Sequence, residues 1–101
     1  MIKINLEFLS WLSETLVVQA SGGSLRREQQ VEEGQTVRHL LVQLATQYPR
    51  FEQSVFDTNL QKISEKVFIL YQGRLLELAD GLETQLKDGD SLVFVPVIQG
   101  G

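Results

Sequence analysis

LKDGDSLVFVPVIQGG, residues 86–101, decides how the rest of the chain is read. Asp88-Gly89-Asp90 is a tight polar turn in which Gly89 can take positive φ. Leu92, Phe94 and Pro96 then alternate with Val93, Val95 and Val97, a period of two that a strand supplies and a helix does not. Pro96 has no backbone donor, so ladder pairing is expected to end there. Two bare glycines follow, a pair that ordinary glycine usage would place at a chain end about once in 200 sequences.

Working outward, residues 2–8 alternate just as strictly, with Ile2, Ile4, Leu6 and Phe8 set against Lys3, Asn5 and Glu7. That predicts a half-buried strand. A loop carrying Trp11, Leu12 and Leu16 leads to Ser21-Gly22-Gly23-Ser24, which reads as a flexible turn. Leu25 to Glu32 is polar, but its place before Glu33-Gly34 suggests a second, exposed strand paired with the first. Thr36 is an N-cap candidate for a helix in which Val37, Leu40, Leu41, Leu44, Ala45 and Tyr48 recur at helical spacing. Pro49 stops it. In residues 50–66, Phe51, Val55, Phe56, Leu60 and Ile63 hint at a short irregular helix over the core edge.

Val67–Tyr71 is an uninterrupted apolar strand, Gln72-Gly73 a two-residue turn, and Arg74–Leu78 the returning partner. The period-two runs exclude an all-helical fold. The order strand, strand, helix, strand, strand, strand predicts one α+β domain over residues 1–101, a β-grasp roll of the ubiquitin kind. Its mixed sheet of four to five strands carries one main helix on one face, with the first and last strands parallel in the centre. Residues 97–101 are expected to project as a flexible Gly-Gly tail that reaches about 16 Å beyond Pro96 when extended, at about 3.3 Å per residue.

Composition narrows the chemistry. At 101 residues, 43% apolar and 22% charged, the chain is an ordinary globular domain with one modest core. A net charge of −4 argues against nucleic acid as a partner. The apolar run Leu92–Ile98 is too short to span a membrane, and without a secretory leader the expected compartment is the cytoplasm. There is no cysteine, and His39 is the single histidine, read as a flank or surface residue. Thiolate sites, disulfides, histidine metal centres and Ser-His-Asp triads thus lack their parts. No phosphate-cradling glycine motif occurs either. The chain is expected to bind no metal or cofactor and to be no enzyme in its own right.

Leu70-Tyr71-Gln72-Gly73, the Leu86–Asp90 turn and the ending Phe94–Gly101 resemble the β-grasp sulfur carriers, above all the small subunit of molybdopterin synthase. The carriers of thiamin and cysteine biosynthesis are relatives of that family. The resemblance covers nearly the whole chain in element order and is most specific in the last sixteen residues. It implies a protein co-substrate. An adenylyltransferase similar to the ubiquitin-activating enzymes, using ATP and Mg, would adenylate the Gly101 carboxylate, and a sulfur donor would displace AMP to leave a thiocarboxylate. Gly100 and Gly101 would keep the tail thin enough to enter a channel in an acceptor, such as the molybdopterin synthase large subunit, which would supply the catalytic residues. Conjugation through Gly101 as a ubiquitin-like modifier, service to cysteine or thiamin synthesis, and a noncovalent interaction module are the alternatives.

Docking is expected on the sheet face away from the helix. Val93, Val95 and Val97 form an apolar stripe there unless residues 50–66 fold over it. The resemblance adds a partner-facing aromatic near the end of the first strand, the place of Phe8, although alternation puts Phe8 on the core side. Gln99 enters with the inserted tail. Asp88 and Asp90 are typical of the family and read best as turn residues.

Overall fold

The computed structural model describes residues 1–16 and 24–97. Residues 21–23 of the expected Ser21–Ser24 turn, and residues 98–101, lie outside them. Strand β1 (Ile2–Phe8) pairs antiparallel with β2 (Leu25–Val31) and parallel with β7 (Ser91–Pro96). Beyond β7 lie β5 (Val67–Tyr71) and the short β6 (Arg74–Leu75), so the five-stranded order is β2-β1-β7-β5-β6. First and last strands are central and parallel, and the architecture is the ubiquitin-like β-grasp roll that the strand order predicts.

Alternation does the sorting. Ile2, Ile4, Leu6 and Phe8 are buried, as are Leu92 and Phe94 opposite them. Helix α1 (Val37–Gln47) lays Val37, Leu40, Leu41 and Leu44 into the same core. Its start is fixed reciprocally. Thr36 Oγ1 accepts from the His39 N–H, and His39 Nδ1 accepts from the Thr36 N–H at 3.0 Å. His39 is exposed, as expected of a flank residue, but its ring fills the role that Glu or Gln usually takes in a capping box.

Pro49 ends α1 and opens a second helix, α2 (Pro49–Ser54), because a first helical turn needs no N–H from its leading residue. A two-stranded hairpin, β3 (Phe56–Asp57) with β4 (Lys62–Ile63), completes residues 49–63. The irregular helix expected there is thus a short helix plus a hairpin. Phe51 anchors it, edge-on to both Phe8 and Phe94. The return from β5 is shorter than Arg74–Leu78. Pairing stops at Leu75, and a 3₁₀ turn over Leu76–Leu78 drops Leu76 into the core. A second 3₁₀ turn, Ser10–Thr15, replaces the loop expected after β1 and buries Leu12.

The polar second strand is one edge of the sheet. Arg26, Glu28 and Gln30 face away from the helix, and charge on an exposed edge discourages pairing with other chains.

Candidate functional site: the open sheet face and the root of the tail

The face that α1 leaves uncovered falls into two halves. On β7, Val93 and Val95 project outward, and the ladder sets Leu70 beside Val93 and Phe68 beside Val95. Leu75 pairs with Leu70 and so extends the same surface. Phe68 is 44% exposed, so this half presents a contiguous apolar patch to solvent.

Across β1 and β2 the same face is charged. Glu7 stands between Val93 and Arg26 in the ladder, and Arg26 Nε lies 3.7 Å from Glu7 Oε2. Lys3 approaches Glu28 at 3.9 Å. Such exposed pairs add little stability and leave polar groups available at a rim. A shallow groove runs over this half, lined by Asn5, Glu7, Arg26, Glu28, Ser91 and Val93.

The 50–66 excursion packs on the helix side and does not cover the patch. Phe51 packs against Phe8 and Phe94, which point to the helix side, and α2 lies against α1. Val93 and Val95 therefore stay partly exposed. Among the described residues of the expected contact surface, Phe8 is the one that lies inside instead. Its ring is 0% exposed and stacks on Phe94 at 4.5 Å, 7° from parallel. The parity of β1 puts it with Ile4 and Leu6 inside, so no atom of it can meet a partner. Phe68 and Leu70 take up the aromatic and aliphatic share of that surface. The uninterrupted run Val67–Tyr71 was their signal, since a strand apolar on both faces has something to contact on each.

Val97 sits at the root of the tail. Its N–H donates to Lys66 O at 2.8 Å, so backbone pairing continues one residue past Pro96. Gln99, Gly100 and Gly101 lie outside the described residues. Asp88 and Asp90 are turn residues. Asp88 Oδ1 accepts from the Lys3 N–H at 2.8 Å, and Asp90 Oδ2 accepts from both the Tyr71 hydroxyl and the Lys87 N–H. Among the described residues no three His, Cys, Asp or Glu side chains gather in a way that could hold a metal, and no helix is long and apolar enough to cross a membrane.

The roll superposes on solved structures of the ubiquitin-like β-grasp fold. The ThiS family model matches residues 15–101, and the chain belongs to the ThiS family. Small archaeal modifier protein 1 of Methanosarcina acetivorans superposes with a TM-score of 0.72 at 24% identity, over 100% of this chain and 98% of that one. Urm1 of Trypanosoma brucei gives 0.71 at 24% identity, covering 98% and 95%. A Pyrococcus furiosus protein named for molybdopterin converting factor, subunit 1, gives 0.71 at 21% identity, covering 97% and 100%. No curated protein matches the chain.

Proposed function

We propose that this protein is a sulfur carrier whose Gly101 carboxylate is adenylated and then converted to a thiocarboxylate, which is delivered to an acceptor enzyme of molybdopterin synthesis. The carrying observation is that the family match runs through Gly100 and Gly101, which follow a central strand with Val93 and Val95 on its outward face. A free carboxylate resists nucleophiles because its oxygen is a poor leaving group. Attack of that oxygen on the α-phosphorus of ATP, with loss of pyrophosphate, makes a mixed anhydride. A sulfur nucleophile then adds to the carbonyl carbon, the C–O bond to phosphate breaks, and AMP leaves. ATP and Mg belong to the activating enzyme, and this chain supplies only the acyl group.

The chain has no cysteine on which sulfur could ride, which leaves the terminal carbonyl as the place to carry it. Glycine offers that carbonyl no steric cover. The apolar patch of Val93, Val95, Phe68 and Leu70 docks on the activating enzyme and on the acceptor, with the charged half of the face as its rim. Likeness to the Pyrococcus furiosus protein supports the molybdopterin acceptor, and the large synthase subunit is then the partner. Both encounters take place in the cytoplasm.

A second reading, conjugation of Gly101 to lysines of other proteins, is favoured by the likeness to a protein named as an archaeal modifier. Incubation with the activating enzyme, MgATP and sulfide separates the two. A mass gain of one sulfur in place of one oxygen at Gly101 supports the carrier. Lysine-linked adducts with no thiocarboxylate support the modifier.

A further inference from the structure

Trp11 is the chain's single tryptophan, and it stands 41% exposed. Leu12 and Ser13 of the same 3₁₀ turn are fully buried, Thr15 and the following Leu16 nearly so, while Ser10 and Glu14 are exposed beside it. The turn is firmly held. Ser13 Oγ donates to Ser10 O at 2.9 Å, Thr15 Oγ1 donates to Leu12 O at 2.7 Å, and the Leu9 N–H donates to Phe94 O at 3.0 Å. Ser10 takes φ +55°, a left-handed conformation uncommon for a residue with a Cβ. Such strain persists where the surroundings fix it and tends to gather at functional positions. The chain thus reverses sharply at Ser10, sinks Leu12, and leaves the large apolar side chain of Trp11 in contact with water.

The position matters as much as the exposure. Phe8 is level with Phe94 in the parallel ladder, and Leu9 continues it, so the turn follows on beside the last residues of β7 and packs against that strand. The turn that carries Trp11 therefore lies next to the end of the strand that leads on to Gly100 and Gly101 in sequence. Lys66 flanks it on the other side, through its bond from Val97.

We infer that Trp11 is a docking anchor for the rim of the channel through which the activating enzyme takes up the tail. This rests on the Gly101 carboxylate being the reactive group. Residues 98–101 are four, and fully extended they reach about 13 Å at about 3.3 Å per residue. Any enzyme that holds the carboxylate must bring its channel mouth over the root of the tail, beside the turn that carries Trp11. Activation comes first in both sulfur transfer and conjugation, which makes the activating enzyme the occupant. Tryptophan is among the residues that dominate interface energy when desolvated, and with two side-chain torsions it loses little freedom on contact.

Because the chain has one tryptophan, fluorine NMR of protein labelled with 5-fluorotryptophan reads this site alone. Adding the activating enzyme with MgATP should shift or broaden that resonance, and deletion of Gly101 should leave the perturbation in place while abolishing adenylation. In ATP–pyrophosphate exchange, Trp11→Ala should raise the KM for the carrier about tenfold with kcat within about twofold, and Trp11→Phe should recover part of the loss. An unmoved resonance, or an unchanged KM for Trp11→Ala beside normal activation of the wild type, overturns the anchor and spares the tail. Wild-type protein that is never adenylated removes the tail's role and the anchor with it. Should Trp11→Ala not fold, the resonance of the intact protein decides.

Discussion

Tyr71 donates its hydroxyl hydrogen to Asp90 Oδ2 at 2.6 Å, and the same carboxylate oxygen accepts from the Lys87 N–H at 2.9 Å. Asp90 is 6% exposed and sits where the chain turns into β7, while Tyr71 ends β5. Two residues earlier, Asp88 takes the Lys3 N–H of β1. Gly89, at φ +86°, turns the chain between them and donates its N–H to Lys3 O at 2.8 Å. The turn thus clips the two strands that flank β7 to the start of β7 itself. Both aspartates serve the fold, and it is the strand they start that leads to the tail.

Alkaline stability should report this clip. Burial, the hydrogen bond to Asp90 and that carboxylate's charge push the Tyr71 hydroxyl from 10.0 up to about 12. Its folded-state value is raised, so the stability it brings is fully present below about pH 10 and is lost as pH climbs towards 12. Urea unfolding across that window should show the wild type falling relative to Tyr71→Phe, which has no proton to lose there. Parallel curves for the two proteins would mean that the bond does not persist in solution.

The helix contact gives a simpler expectation. Leu41 is fully buried on α1 within the core formed with Ile4, Leu6, Leu92 and Phe94. Leu41→Ala should cost about 2–5 kcal/mol in chemical denaturation, by lost burial and by the cavity it leaves. A cost below about 0.5 kcal/mol would show that this side chain does not face the sheet in solution.

Parity made most of this legible in the residues. Ile2 to Phe8 and Leu92 to Pro96 each sort inside from outside by position, and the parallel pairing of those strands follows from one crossover helix. The same parity placed Phe8 inside, against the contact role that family resemblance assigned it, and the stacked Phe8–Phe94 pair shows the local rule winning. The run Val67–Tyr71 signals contacts on both faces, but a run apolar at every position carries no parity to say that Phe68 and Leu70 are the outward pair. Trp11 was hidden for another reason. Its exposure depends on the reversal at Ser10, a backbone choice that serine does not announce. The hairpin within residues 56–63 has strands of only two residues, too short for any period to show.

Val95 tests the open face. It lies beside Phe68, away from the core, so Val95→Asp should leave the thermal midpoint within a few degrees of wild type. Binding to the activating or acceptor enzyme should weaken by tenfold or more, on the order of 1.4 kcal/mol, because a carboxylate enters a desolvated apolar contact. Isothermal titration and a melting curve on one preparation separate the outcomes. Loss of stability equal to the loss of binding would make Val95 a core residue, and unchanged binding would move docking to another surface.

The tail is tested by removing its last residue. If Gly101 bears the reactive carboxylate, its deletion should abolish sulfur loading in the presence of activating enzyme, MgATP and sulfide, as read by intact mass. Stability should not change, because a terminal glycine has no side chain to pack into the core. Gly100→Val should block loading as well. A β-branched side chain thickens the chain beside the reacting carbonyl and restricts its backbone, whereas a channel that admits glycine need leave no room for it. Gly100→Ala, smaller and unbranched, should fall between the two. A deletion variant that still gains sulfur, or still supports its acceptor, would mean that the two glycines take no part in the chemistry, and the protein would then work through its open face alone.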